Sequence, residues 1–259
     1  MPTPLISVIT VTYNSEVYVE HAIRSVLDQT YPNVEYIIVD GASQDATLDI
    51  IHKYASQIDK WISEPDDGIA DAMNKGIEMA SGDYLLFLHS DDYLLNCQVL
   101  EKVAPCLNDR SEIVLFSLYH SNNGTKTLVR PRGLGWWSNF KTGVLHQSAF
   151  CSHALFEQIG VFDTSFNIGM DYDFFLRAYR SGVSAKITDF PVSVMRKTGV
   201  SSKQDWPGLK RRFKEEWKIH IKNSKSYAMT LLYIFYWILY LPYRRVLCFW
   251  NSQNISSDT

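Results

Sequence analysis

The chain has 259 residues, 46% of them hydrophobic, which fits one large α/β domain or one and a half ordinary ones and is ample for a buried core. A formal net charge of −3 leaves no basic field of the kind that gathers phosphate backbones, so nucleic-acid binding is not expected. Cys97, Cys106, Cys151 and Cys248 form no CxxC pair and have no histidine at zinc-finger spacing, which reads as reduced, mostly buried thiols of a cytosolic protein.

The first residues carry no basic stretch and no small-residue cleavage site, so export is not expected. Leu5 to Val11 is a short β-rich run, and after Asn14-Ser15 the apolar residues Val19, Ala22, Ile23, Val26 and Leu27 fall at helical spacing. The unit repeats: Val34 to Val39 reads as a strand, and Ser43 or Asp45 can cap a helix carrying Ile50, Ile51, Tyr54 and Ile58. Trp61-Ile62 suits a short third strand, Ile69 to Ala80 a third helix stopped by Gly82, and Tyr84 to Leu88 a fourth strand. Strands apolar along most of their length and alternating with helices predict a mostly parallel sheet covered on both faces, whose ligands gather beyond the carboxyl ends of the strands. Three acidic groups fall at such ends: Asp40, the run Glu64 to Asp67, and Asp91-Asp92.

Beyond Asp92 the pattern loosens into an expected mixed-sheet region, with a strand over Ile113 to Leu118, a turn at Asn122-Asn-Gly124 and a returning strand at Leu128. Asp171 to Arg180 and Lys210 to Ile221 read as helices. From Ala228 to Leu241 the chain is apolar and aromatic, followed by Pro242, Tyr243, Arg244 and Arg245. A bilayer-spanning helix needs about 20 apolar residues, so this stretch reads as an in-plane or re-entrant anchor, or else as a buried core helix. Residues 251–259 are expected to be disordered.

His89-Ser90-Asp91-Asp92 follows a strand and presents hard carboxylate oxygens suited to Mg²⁺ or Mn²⁺, although Asp-rich turns are also common as caps. Asp40, beside a Gly turn, can accept from a base or a sugar hydroxyl, or can cap a helix. Asp171 can act as a base, or can merely stabilise a helix N-terminus.

The order of four motifs resembles glycosyltransferase family 2, over about residues 5 to 220. These are Ile-Ser-Val-Ile-Thr-Val-Thr-Tyr-Asn from Ile6, Val-Asp-Gly-Ala-Ser-Gln-Asp-Ala-Thr from Val39, Ser-Glu-Pro-Asp-Asp-Gly-Ile-Ala-Asp-Ala-Met-Asn-Lys-Gly from Ser63, and Ser90-Asp91-Asp92. The resemblance implies a GT-A fold: a Rossmann-like, mostly parallel sheet with helices on both faces, plus C-terminal helices. The implied layout is a transferase domain over 1–225, its nucleotide-binding part at about 1–95 and its acceptor and catalytic part at 96–225. An apolar membrane-associating helix and tail over 226–259 would follow.

By the same resemblance Thr12, Tyr13 and Asp40 line the nucleotide site, Asp91 lies near ribose and diphosphate, and Asp92 with Asp91 holds the metal. Asp171 is the catalytic carboxylate, with Met170 in place of the first member of the usual Glu-Asp pair. His146-Gln147 matches a pair often found beside the donor sugar. Arg196 and Lys197, with Thr198 to Ser202, resemble a mobile segment that closes over the diphosphate. Two positions depart from the family: His89 replaces the first Asp of the metal motif, and Asp67 stands where relatives often carry Lys.

The implied protein is an inverting, Mn²⁺- or Mg²⁺-dependent transferase that moves a sugar from a UDP-sugar to a saccharide or lipid-linked acceptor. It would work in bacterial cell-surface polysaccharide synthesis, peripherally on the cytoplasmic face of the inner membrane. A catalytically silent nucleotide-sugar-binding or scaffold protein of the same fold is the alternative. A nucleotidyltransferase would carry a Gly-rich basic loop where Thr12-Tyr-Asn-Ser-Glu16 stands, and a glycoside hydrolase would need no nucleotide pocket.

Overall fold

The computed structural model describes residues 3–107, 109, 111–122, 124–196 and 205–255, with side chains through 250. They form two compact units, 1–198 and 199–259.

The first unit opens as the apolar spacing predicts: β1 (Ile6–Thr12), α1 (Val19–Leu27), β2 (Val34–Asp40), α2 (Thr47–Tyr54), β3 (Lys60–Ser63), α3 (Ile69–Met79) and β4 (Tyr84–Phe87). Every residue of β1 is buried, which is why its sequence runs apolar instead of alternating. There follow β5 (Tyr93–Leu94), α4 (Val99–Leu107), β6 (Ile113–Asn122), β7 (Thr125–Val129), β8 (Ala149–Ser152), α5 (His153–Ile159), α6 (Met170–Arg180) and β9 (Ala185–Arg196).

The strands form one sheet in the order β3-β2-β1-β4-β8-β6-β9-β5, with β7 also paired to β6. The first four strands are parallel; β8 runs antiparallel to β4 and β6, and β9 returns parallel to β6. The expected mixed region is this second half. Of it, the hairpin β6–β7 is legible in sequence, whereas β5, α4, β8, α5 and the twelve-residue β9 are not.

One face of the sheet, through Ile6, Val8, Tyr36 and Ile38, packs on Val19 and Ile23 of α1, Ile51 of α2 and Val103 of α4. The opposite face takes α3, α5 and α6. Gly76 of α3 lies so close to Ile9 that a Cβ there would come within 2.4 Å of its Cγ2, and Phe87 meets Phe156 and Phe162 at ring distances of 6.0 and 5.2 Å. Phe156 in turn stacks on Phe174 of α6 at 4.8 Å. This aromatic packing fixes α6 against the centre of the sheet.

The second unit is a pair of helices, α7 (Trp206–Lys222) and α8 (Tyr227–Ile255). Leu209, Phe213 and Trp237 are buried between them, and the Trp237 indole donates to His220 Nδ1 at 2.8 Å. Thus α7 shares a core with α8, within the second compact unit. Helix α8 also runs past Pro242 to Ile255, so residues 251–255, expected to be disordered, are helical; 256–259 lie outside the described residues. Leu232, Phe235, Leu239, Tyr243, Val246 and Trp250 are exposed along α8 at helical spacing, so it is not a fully buried core helix. Among the described residues no helix is long and apolar enough to cross a membrane. The cysteines are all unpaired, but only Cys151 is buried; Cys97 is exposed, and Cys106 and Cys248 are half-buried, contrary to the expectation of mostly buried thiols.

One buried charge ties the parallel half together. Glu35 on β2 accepts from Ser7 Oγ of β1 at 2.5 Å, Lys60 Nζ of β3 at 2.7 Å, and the amide and hydroxyl of Ser81 at 2.8 and 2.7 Å. Burial alone would push its pKa up, but these donors outweigh it and bring it down from 4.5 to about 2. Glu35→Gln is therefore expected to cost about 1.5–3 kcal/mol at pH 7. Because the folded pKa is depressed, the wild-type advantage is complete above the unfolded value of 4.5 and declines as the pH falls towards 2. Urea midpoints of both proteins at pH 7 and pH 3 check the sign.

Candidate active site

Parallel pairing brings Thr12, the last residue of β1, opposite Asp40, the last of β2. Both strands then leave the sheet through left-handed residues that are not glycine, Asn14 at φ 47° and Ala42 at φ 59°. Such conformations cost about 1–2 kcal/mol for a residue like alanine and cluster where a ligand constrains the backbone. Hydrogen bonds lock the two turns together: Asn14 N donates to Ser43 Oγ and Gln44 N to Asn14 Oδ1, each at 2.8 Å.

Asp40 is fully buried beneath these turns. Its Oδ1 accepts from Ser43 Oγ at 2.5 Å, and its Oδ2 from Ser43 N at 3.0 Å and Ser63 Oγ at 2.6 Å. Asp40 therefore braces the turn that follows its own strand. Gly41 lets that turn pass Asp66, whose Oδ2 lies 2.4 Å from where a Cβ would stand. Of the nearby acidic run, Glu64 is paired with Lys75 of α3 at 2.8 Å, and Asp66 Oδ1 accepts from Gly68 N at 2.9 Å. By contrast, Thr12 Oγ1 is buried with no hydrogen-bond partner among the described residues, and Tyr13 is 60% exposed at the mouth of the strand ends.

After β4, Leu88 and Ser90 continue to bond the β1 backbone, and the chain turns with Asp92 N donating to His89 O at 3.0 Å. Asp92 points inward and is 1% exposed. Burial, reinforced by the Asp91 charge, pushes its pKa well up, against opposing hydrogen bonds from the Arg196 amide and the Gln147 side chain. The amide bond measures 3.1 Å. The Arg196 guanidinium donates to the Asp91 carbonyl and contacts His21 Nδ1 at 2.7 Å, lying over Tyr18 and Tyr93 at 5.0 and 4.7 Å. Arg196 thus clamps the acidic turn. Lys197 and the Thr198–Ser202 segment lie outside the described residues.

His146 and Gln147 form a single 3-10 turn before β8. The Gln147 side chain lies beside Asp92 and favours its charge, and the Gln147 carbonyl accepts from Ser193 Oγ of β9 at 2.7 Å. His146 lies with Nε2 2.7 Å from His89 Nε2 and Nδ1 3.3 Å from Asp171 Oδ2. Burial, with His146 adding to it, pushes the His89 pKa down to about 3, so that ring is neutral. Asp171 stands in the first turn of α6, where its Oδ1 also accepts from Tyr172 N at 2.7 Å. Two residues on, Asp173 faces the other way, fully buried on Arg177, which also donates to the carbonyls of Ile159, Gly160 and Val161. Asp173 is thus structural, and Asp171 is the half-exposed member.

The structure therefore joins Asp91, Asp92, Asp171, His89 and His146 in one hydrogen-bonded group, with Thr12, Tyr13 and Asp40 at the neighbouring strand ends. Sequence reasoning missed Ser43 and Ser63 on Asp40, and His21, Tyr18 and Tyr93 around Arg196. The serines could have been found as hydroxyls following strands; the aromatic cage spans residues too distant in sequence to leave a signal.

A family model described as Glycosyl transferase family 2 matches residues 7–166. The chain belongs to glycosyl transferase family 2. Among family 2 relatives, the putative teichuronic acid biosynthesis glycosyltransferase TuaG of Bacillus subtilis is 43% identical over 151 residues, 55% of this chain and 59% of that protein. Two solved structures share its GT-A fold. TarS 1-349 of S. aureus, in complex with UDP-GlcNAc, superposes with a TM-score of 0.68 at 21% identity, covering 90% of this chain and 73% of that one. The mannosyltransferase PcManGT of Pyrobaculum calidifontis, in complex with GDP-Man and Mn²⁺, gives 0.69 at 19% identity, covering 100% and 76%. This family 2 chain spans 44% of a longer TarS chain.

Replacing one Asp40 oxygen by an amide sets N–H donors against the Ser43 or Ser63 donors. Asp40→Asn is expected to lose about 1–3 kcal/mol of stability, read as a drop in Tm of several degrees.

Proposed function

We propose that the chain is an inverting glycosyltransferase that takes a sugar from a nucleoside diphosphate donor, UDP in the first instance, onto a saccharide or lipid-linked acceptor. The observation that carries the reading is the dipeptide His146-Gln147, in which His146 Nδ1 lies 3.3 Å from Asp171 Oδ2 while Gln147 lies beside Asp92 and favours its charge. A carboxylate suited to receiving a proton is thereby held beside a buried acidic turn suited to the departing diphosphate.

Thr12, Tyr13 and Asp40 form the nucleoside end. The unpartnered Thr12 hydroxyl is a ready donor or acceptor for a ligand, Tyr13 offers an exposed ring, and Asp40 holds the turn that shapes the pocket. Asp91 and Asp92 fit a hard divalent ion, Mn²⁺ or Mg²⁺, because Asp92 is a buried carboxylate whose charge is disfavoured by burial and by its neighbour. Among the described residues no third His, Cys, Asp or Glu completes a metal cluster, which suits an ion that draws its remaining oxygens from the diphosphate. When bound, such an ion supplies charge neutralisation for the leaving group. Arg196, and Lys197 beyond the described residues, would add positive charge on the same side.

In the transfer itself the acceptor oxygen attacks the anomeric carbon from the face opposite the diphosphate. The new carbon–oxygen bond forms as the bond to the diphosphate breaks, and Asp171 takes the acceptor proton. One displacement inverts the anomeric centre. The likeness to TuaG supports a cell-surface polysaccharide as the pathway.

The exposed apolar stripe of α8, with Arg244 and Arg245, supports peripheral contact with the cytoplasmic face of the inner membrane. Residues 205–259 hold nine Lys and Arg against four Asp and Glu, in a chain whose net charge is −3. A Phe235→Ser, Leu239→Ser double substitution, on exposed positions only, should leave the fold intact and weaken co-sedimentation with phosphatidylglycerol vesicles; undiminished binding would refute this contact.

Calorimetric titration with UDP, with and without Mn²⁺, tests the donor reading. Metal-dependent binding that disappears in Asp92→Ala is expected, and a folded sample that binds neither UDP nor GDP would sink it. Asp171→Asn should leave UDP affinity within about twofold and lower kcat by roughly 10²–10⁴-fold, the usual share of a general base.

A further inference from the structure

We propose that His89 and His146 form a two-imidazole bridge that orients the Asp171 carboxylate, with His146 as the positioning residue and His89 fixing its tautomer. The inference rests on the reading of Asp171 as the base that receives the acceptor proton.

With both rings neutral, the hydrogen count on the bridge leaves one arrangement. Two imidazole nitrogens 2.7 Å apart need a hydrogen on one and a lone pair on the other. An ionised Asp171 only accepts, so the His146 Nδ1 that faces Oδ2 carries a hydrogen. A neutral His146 then has its lone pair on Nε2, and the hydrogen between the rings belongs to His89 Nε2. The near-perpendicular rings, at 86° with centroids 4.8 Å apart, leave no stacking that would otherwise account for so close an approach.

The bridge is anchored at both ends. His89 opens the turn closed by Asp92 N to His89 O, and His146 is held by the 3-10 turn whose next residue accepts, through its carbonyl, from Ser193 of β9. Asp171 has one oxygen on Tyr172 N and the other on His146. The two contacts fix its plane at the N-terminus of α6. The 3.3 Å contact is long for a hydrogen bond, as catalytic contacts often are before substrate binds. Misplacing a reacting group by about 1 Å can cost 10²-fold in rate. The histidine at position 89 therefore does a different job from a metal ligand: it couples the acidic turn to the base.

Two measurements on the full-length chain test the bridge. Long-range ¹H–¹⁵N spectra of the unliganded wild-type protein at pH 7.5 should show His146 as the Nδ1–H tautomer and His89 as Nε2–H, with the His146 pattern altered in Asp171→Asn. The reverse tautomers, or a His146 pattern indifferent to Asp171→Asn, overturn the proposal. In transfer assays at saturating acceptor, His146→Phe should lower kcat by about 10- to 100-fold while the donor KM stays within about twofold. His146→Asn, whose Nδ2 stands where Nδ1 stood, should recover a large part of that loss. A folded His146→Phe with wild-type kcat, or a loss confined to KM, overturns the inference while leaving the transferase reading intact. A wild-type chain that turns over no nucleotide sugar overturns both.

Discussion

Everything at the site depends on the parallel pairing of β1 with β2 on one side and β4 on the other. Three strands in register must end on the same side of the sheet, so the residues that follow them meet whatever their distance in sequence. Thr12 and Asp40 are register partners, and the His89–Asp92 turn follows a strand that pairs with β1 through Phe87. The Glu35 cluster works at the opposite end of the same strands, where a single carboxylate binds donors from β1, β3 and the loop into β4. That anchored end holds the register, and the opposite end carries Asp40 and the acidic turn.

The second half of the sheet brings partners to the acidic turn and to Asp171. Strands β8 and β9 contribute no acidic residue to the group, yet the turn into β8 supplies His146 to Asp171 and Gln147 beside Asp92, and the end of β9 supplies Arg196. The buried Asp92 is tolerable in this frame because the Arg196 amide and the Gln147 side chain both favour its charge, and burial leaves it poised for a positive partner.

How much of this was legible in the sequence follows from the distance over which each signal acts. The β1–β4 half was readable because its strands are buried on both faces and its helices show a continuous apolar stripe. Asp91, Asp92 and Asp171 were singled out through ordered motifs, and on its own Asp171 could not be told from a helix-terminal charge. What resisted reading was set by contacts between distant segments. The split between Asp171 and Asp173 depends on Arg177 reaching the carbonyls of Ile159, Gly160 and Val161, and nothing local to Arg196 reveals Tyr18, His21 and Tyr93 around it. The pairing of α7 with α8 leaves no local signal for a related reason: a highly charged helix and an apolar one show no shared pattern, and only Phe213 meeting Trp237 reveals their common core.

The long reach of the clamp on Asp92 also sets an order of events during synthesis. As the chain leaves the ribosome, β1 to β4 and their helices are complete within the first ninety or so residues and contact mainly one another, so this half has what it needs to condense early. Its acidic turn then waits. The backbone amide that bonds Asp92 arrives 104 residues later, on the last strand in chain order. Until β8 pairs with β4 the nascent half-sheet ends in an open edge, and until β9 docks beside β6 the Asp92 carboxylate lacks that amide, which favours a hydrated turn over a closed one until the first unit is synthesised.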